Sequence, residues 1–127
     1  MNRNFLMATE DRDRFSPLAD TLAALTGGDI FWANTGKDTL DEAAHLIPLL
    51  VVMDEALPDM TGLDLARKLL TANALINTAL VSRLSPEAFH EASEGLGVLV
   101  QLPPNPGKKE AEDIVSGLKQ IFALPSD

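Results

Sequence analysis

The pattern of apolar and polar positions divides this chain into strand-like runs that alternate with helix-like repeats. Residues 49–53 are continuously apolar, which is typical of a strand buried on both faces of a parallel sheet. Shorter apolar runs, bounded by turn-forming residues, predict four more strands. The five predicted strands cover residues 4–8, 29–33, 49–53, 77–81 and 97–102.

Helical spacing predicts the first helix after the first strand. Its apolar positions are Phe15, Leu18, Leu22 and Leu25. Asp13 is a candidate N-cap, and it would place Pro17 just within the first turn, where proline is tolerated. Gly27 follows the last apolar position and is a common residue at the end of a helix.

Capping residues mark the remaining helices. The second helix is predicted at 38–46, and the third begins at Thr61 and continues to about residue 72, with Asp64 three residues after the cap. Ser85 followed by Pro86 predicts the start of the fourth helix. The apolar face of the fifth helix is predicted to be Ile114, Val115, Leu118, Ile121 and Phe122.

Five strands that alternate with five helices predict an α/β fold with a doubly wound parallel sheet. In such sheets ligands bind beyond the carboxyl ends of the strands. Asp54 directly follows the apolar run at 49–53 and therefore stands at such an end. It is either a reactive group or a polar residue that caps the turn after the strand.

The composition narrows the class of protein. A chain of 127 residues is expected to form one domain, 1–127, and its net charge of −9 argues against direct binding of nucleic acid. The absence of cysteine fits the cytoplasm, and no apolar run approaches the ~20 residues of a membrane span. The N-terminal segment has too few apolar residues for a signal peptide, and Met1 looks like a natural start.

The neighbours of Asp54 favour the reactive interpretation. Pro58 lies four residues past it and Gly62 eight past it, and Met60 and Thr61 precede that glycine. This segment resembles the phosphoacceptor segment of bacterial response-regulator receiver domains, the CheY-like family. The resemblance implies a flavodoxin-like sheet in the order 2-1-3-4-5, with Asp54 as the phosphoacceptor.

The resemblance also implies a Mg²⁺ ion held by an acidic pair near the end of the first strand. By spacing, that pair falls on Thr9 and Glu10, with Asp11 beside them. The metal ligands implied by the family are Glu10, Asp11, Asp54 and the backbone carbonyl of Ala56. Because an acid is replaced by Thr9, Mg²⁺ is expected to bind weakly. Alternatively, these acids only supply negative charge near a helix N-terminus.

Two further family positions lie on the fourth and fifth strands. Ser82 corresponds to the hydroxyl that bonds the phosphoryl oxygen, although it is also a candidate helix cap. Leu102 stands where the family has a lysine, and Leu99 stands where it has a switch aromatic. Lys108, Lys109 and Arg83 are candidate substitutes for that lysine. The implied phosphorylation site is therefore degenerate.

Two functions remain open from the sequence. The first is a receiver domain that accepts a phosphoryl group on Asp54 inefficiently, from a sensor histidine kinase or another phosphodonor. The second is a pseudo-receiver that binds protein partners independently of phosphorylation. No enzyme activity is expected, since a dehalogenase-type phosphatase would need a second aspartate where Ala56 stands.

The resemblance implies an output face on the fourth helix, fifth strand and fifth helix. This face would dock a downstream protein, an output domain or a second copy of the chain. Leu99 is expected to be an exposed apolar anchor there. Neither nucleic acid nor membrane is expected as a direct partner.

Overall fold

The computed structural model describes residues 3–122, except the side chain of Phe122. Five strands and five helices alternate along this part of the chain. Their bounds, in chain order, are β1 (Asn4–Ala8), α1 (Arg12–Thr26), β2 (Asp29–Ala33), α2 (Gly36–Leu46), β3 (Leu50–Met53), α3 (Gly62–Ala72), β4 (Asn77–Val81), α4 (Pro86–Ala92), β5 (Val98–Leu102) and α5 (Lys108–Phe122).

The strands form one parallel sheet in the order β2-β1-β3-β4-β5, which confirms the predicted fold class. The central strand β3 is buried along its whole length. Val52 faces the core formed with α1 and α5, whereas Val51 and Met53 face the core formed with α2 and α3. Since successive side chains of a strand point to opposite faces, two apolar layers require a continuous apolar run.

Helix caps agree with the sequence at α3 and α4 but not at α1. Thr61 and Ser85 cap α3 and α4, as predicted. The N-cap of α1 is Asp11, whose side chain accepts from the backbone N–H of Arg14, so the prediction of Asp13 was wrong. The helix therefore begins earlier, and Pro17 lies in its second turn rather than its first.

Two predictions about exposure near α5 also need correction. Ile114, Val115 and Leu118 are buried, but Ile121 is exposed, because the last turn of the helix extends past the core. The side chain of Phe122 lies outside the described residues. Leu99 is half-buried rather than exposed, since it packs on α5 where a Cβ added to Gly117 would lie 3.4 Å from its Cδ1.

None of the helices within residues 3–122 has the length and apolar character needed to span a membrane.

Candidate functional site

A cleft of about 260 Å³ lies at the carboxyl edge of the sheet, above β1, β3 and β4. The sheet order brings these three strands side by side, although they are far apart in the sequence. The residues that line the cleft are Glu10, Asp11, Arg14, Asp54, Glu55, Ala56, Val81, Arg83 and Pro104. The structure therefore gathers four of the predicted site residues, Glu10, Asp11, Asp54 and Ala56, in one place.

Both carboxylate oxygens of Asp54 accept hydrogen bonds. Oδ1 accepts from the backbone N–H of Glu55 at 2.8 Å, and Oδ2 accepts from Thr9 Oγ1 at 2.7 Å. Arg14 Nη2 also donates to Oδ1 and forms an ion pair with it. Asp54 is only 7% exposed, so its charge is compensated by a cation of the same chain rather than mainly by water.

Arg14 connects three parts of the molecule. It projects from the first turn of α1, its Nη2 reaches Asp54 after β3, and its Nε donates to the carbonyl of Pro104 after β5 at 2.6 Å. Sequence reasoning did not single out Arg14. Its position in the sequence could have drawn attention to it. A cation in the first turn of a helix is unfavourable next to the helix dipole, so a contact with an anion elsewhere is expected.

Thr9 performs a different task from the acid that the family pattern has at its position. Its side chain is completely buried, donates to Asp54 and accepts from the backbone N–H of Asp11 at 3.0 Å. The hydroxyl therefore uses its one donor and one of its two lone pairs within the protein. It stabilises the carboxylate of Asp54 and adds no negative charge to the cleft.

Two of the predicted magnesium ligands, Asp11 and Asp54, are engaged by other partners in this arrangement. Asp11 accepts from the backbone of Arg14 at 3.2 Å, and both oxygens of Asp54 are engaged, one of them by a guanidinium. Across residues 3–122 there is no group of three or more histidine, cysteine, aspartate or glutamate residues arranged to hold a metal. The Arg14 cation stands against the carboxylate that Mg²⁺ would require.

Ser82 lies at the end of β4, next to β3, but its hydroxyl faces its own loop. Ser82 Oγ accepts from the backbone N–H of Leu84 at 3.2 Å. Gln101 Nε2 donates to the carbonyls of Ser82 at 3.1 Å and Leu84 at 2.8 Å. The backbone N–H of Arg83 donates to Glu55 Oε2 at 2.8 Å. The β4–α4 loop is thus held by Gln101 of β5 on one side and by Glu55, which follows β3, on the other.

The residue at the family's lysine position contributes nothing polar to the cleft. Leu102 is buried in the core between the sheet, α1 and α5. Lys108 and Lys109 are exposed at the start of α5, and Lys109 pairs with Asp113 at 3.3 Å. The cations that line the cleft are instead Arg14 and Arg83.

Gly62, the first residue of α3, packs closely against the backbone of Asp54. A Cβ added to Gly62 would collide with the carbonyl of Asp54, so only glycine fits without a shift of the backbone. Asp59, in the loop between β3 and α3, accepts from the backbone N–H groups of Gly36 at 2.7 Å and Lys37 at 3.0 Å. These bonds at the N-terminus of α2 hold the pKa of Asp59 below its ordinary value.

Comparison with known proteins agrees with this architecture. No protein-family model matches the chain. It is 26% identical over 118 residues to protein-glutamate methylesterase/protein-glutamine glutaminase 3 of Paramagnetospirillum magneticum, covering 91% of this chain and 30% of that protein. It is 30% identical over 91 residues to the response regulator GacA of Pseudomonas aeruginosa, covering 72% of this chain and 41% of GacA. The chain thus spans less than half of either relative.

Solved structures share the whole fold. The response regulator receiver domain protein (CheY-like) from Methanospirillum hungatei superposes with a TM-score of 0.80 and 18% identity, over 94% of this chain and 96% of that one. The parallel order 2-1-3-4-5 and the strand-end aspartate occur here together with sequence relatives that include a response regulator. The chain has the fold of the response-regulator receiver domains of the CheY-like type, and its sequence is similar to that of response regulators.

Proposed function

We propose that this chain is a receiver-type signalling domain that binds protein partners without requiring phosphorylation of Asp54. The observation that carries the proposal is the guanidinium of Arg14 on the carboxylate of Asp54. This role makes the chain a pseudo-receiver that acts as an interaction module rather than as an enzyme.

Phosphorylation of an aspartate requires the carboxylate to attack a phosphoryl group whose charge is neutralised by a metal. In this chain Asp54 accepts from Thr9, Glu55 and Arg14, so three of the roughly four lone-pair sites of its carboxylate are directed at donors. A nucleophile held in this way must first lose hydrogen bonds. Weak binding of Mg²⁺ follows from the same contacts, because Arg14 repels a second cation near Asp54.

The path from Asp54 to the predicted output face is also altered. Leu102 lies in the core and cannot form an ion pair with a phosphoryl group. The β4–α4 loop is held by Glu55 and Gln101, and Leu99 is packed on α5. Each of these contacts exists with Asp54 unmodified. We therefore expect partners at the α4–β5–α5 face to bind without a phosphorylation step.

A second candidate is slow phosphorylation of Asp54, with Ser82 as a hydrogen-bond donor to the phosphoryl group. The open cleft favours it, since Arg14 and Arg83 both line the space next to Asp54 and could compensate added negative charge. A sensor histidine kinase or another phosphodonor would then be a partner. In either role we place residues 1–127 in the cytoplasm, as one receiver-type domain that does not itself contact nucleic acid or membrane.

Incubation with acetyl phosphate and Mg²⁺, followed by intact mass measurement, separates the two candidates. The wild type should gain no phosphoryl group over hours, whereas Arg14→Gln, which removes the guanidinium from Oδ1 of Asp54, should be labelled faster. Asp54→Ala is the control for the site of any label. A stoichiometric gain in the wild type that disappears in Asp54→Ala would contradict the pseudo-receiver and support the second candidate.

A further inference from the structure

An apolar hollow lies between α2 and α3, at the edge of the sheet opposite to the Asp54 cleft. Its volume is about 250 Å³, and small residues on facing helices, Ala43, Ala44 and Ala72, leave the space open. Ile47 stands at one end, after α2 and just before β3. We call this feature the α2–α3 hollow.

Ile47 ends α2 as its C-cap, in a left-handed conformation, and its backbone N–H donates to the carbonyl of Ala43 at 2.9 Å. Its φ of 45° lies in the left-handed region, which β-branched residues rarely adopt, and the residue that follows it is Pro48, which favours an extended backbone before it. Glycine would end the helix there without strain. Ile47 is nevertheless 57% exposed, so the strain is not offset by burial of its side chain. Such an outlier points to a role in recognition.

Leu75 is the second unusual residue on this face. It lies in the turn between α3 and β4 and is 87% exposed, the most of any large apolar residue in the described chain. Its backbone N–H donates to the side chain of Asn73 at 3.0 Å, a turn that fixes the backbone from which Leu75 projects. Asn73 and Ile76, on either side of it, line the hollow. A projecting leucine and an open apolar hollow are therefore neighbours.

The residues that line the α2–α3 hollow carry no charge, in a chain whose net charge is −9. Seven of the eight lining residues are apolar and the eighth is Asn73, and the charged residues Asp41 and Lys68 lie next to them in the sequence. Two copies of an acidic chain repel one another over most of their surfaces. They can approach with the least repulsion where both lack charge. A basic partner, in contrast, would gain nothing from this face by charge.

We propose that this face is the contact surface of a symmetric dimer of this chain. In it, Leu75 of each copy enters the α2–α3 hollow of the other, and Ile47 packs at the rim of the same contact. A projection and a hollow on one face suit a two-fold arrangement, in which the same patch serves both copies. The proposal is independent of whether Asp54 is phosphorylated, and it uses a face separate from α4, β5 and α5.

Sedimentation velocity of the 127-residue chain over a range of concentrations tests the dimer. The wild type should show a dimer whose dissociation constant changes little with salt, because the contact is uncharged. Leu75→Asp should raise the dissociation constant more than about tenfold. Leu84→Asp is the matched control, since Leu84 is also an exposed leucine but lies after β4, beside the α4–β5–α5 face. It should change the constant less than about threefold.

Ile47→Gly separates recognition from structure. Because glycine adopts the left-handed region freely, this variant should fold with unchanged or higher stability while its dimer is weakened. A variant that loses stability but keeps its dimer would assign Ile47 a structural role and count against the proposal. Mixing the variants Leu75→Lys and Ala44→Glu should restore dimers that neither variant forms alone. In the mixed dimer the lysine of one copy enters the hollow of the other copy and meets the glutamate there.

Three results would overturn the proposal. The first is a wild type that stays monomeric at ~1 mM, because a dimer with a dissociation constant above this concentration would be too weak to count as a specific contact. The second is a dimer that Leu84→Asp disrupts and Leu75→Asp does not. The third is a monomer whose α2–α3 hollow binds an amphipathic helix or a lipid vesicle, which would assign the face to a different occupant.

Discussion

Replacing Arg14 with glutamine should destabilise the fold through the carboxylate it leaves behind. Breaking a fully buried ion pair costs about 3–5 kcal/mol, whereas an exposed pair contributes about 0–1 kcal/mol. The side chain of Arg14 is 26% exposed, and Asp54 keeps the donors Thr9 and Glu55. The cost should therefore lie between these limits, at about 1–2 kcal/mol.

Urea unfolding of four proteins measures this contribution: the wild type, Arg14→Gln, Asp54→Asn and the double variant. With a slope of about 2 kcal/mol per molar urea, the midpoint of Arg14→Gln should fall by roughly 0.5–1 M. Asp54→Asn should cost less, because Arg14 is partly hydrated and keeps its bond to Pro104. The double-mutant cycle should give a coupling of about 1 kcal/mol between Arg14 and Asp54.

Arg83→Gln is the control for this cycle. Arg83 lines the same cleft and pairs with Glu55 at 3.7 Å, but its side chain is largely exposed, so its loss should cost less than about 1 kcal/mol. A coupling below about 0.3 kcal/mol between Arg14 and Asp54 would refute the reasoning. The same conclusion would follow if Arg14→Gln and Arg83→Gln were equally stable.

Three further substitutions test the elements around the cleft. Gly62→Ala forces a Cβ against the carbonyl of Asp54 and should cost about 2 kcal/mol or more in urea unfolding. Asp59→Asn should be less stable than the wild type at neutral pH. Since the pKa of Asp59 is lowered, thermal unfolding should show this difference fully above its ordinary value of 3.8 and lose it as pH falls through the lower folded value. Ser85→Ala removes the cap of α4 and should cost about 1 kcal/mol, checked by circular dichroism melts.

Sequence and structure agree most closely where local chemistry decides the conformation. The apolar run before Asp54 predicted a central strand, because a strand covered on both faces must be apolar throughout. Thr61 and Ser85 predicted the starts of two helices, because their side-chain oxygens can accept from the unpaired backbone amides of the first helical turn. Even the first cap was missed by only two residues, since several acids in a row could each accept the same amides.

Only the tertiary structure decided how the charges of the cleft are paired. Arg14 is 40 residues from Asp54 in the sequence and meets it because β1 and β3 are neighbours in the sheet. Its long side chain has many rotamers, and its pairing with Asp54, and at 3.8 Å with Asp11, depends on which groups surround it after folding. Similarly, Leu99 became a packing residue because Gly117 leaves room on α5. Residue types determine local geometry, whereas long-range partners depend on how the elements pack.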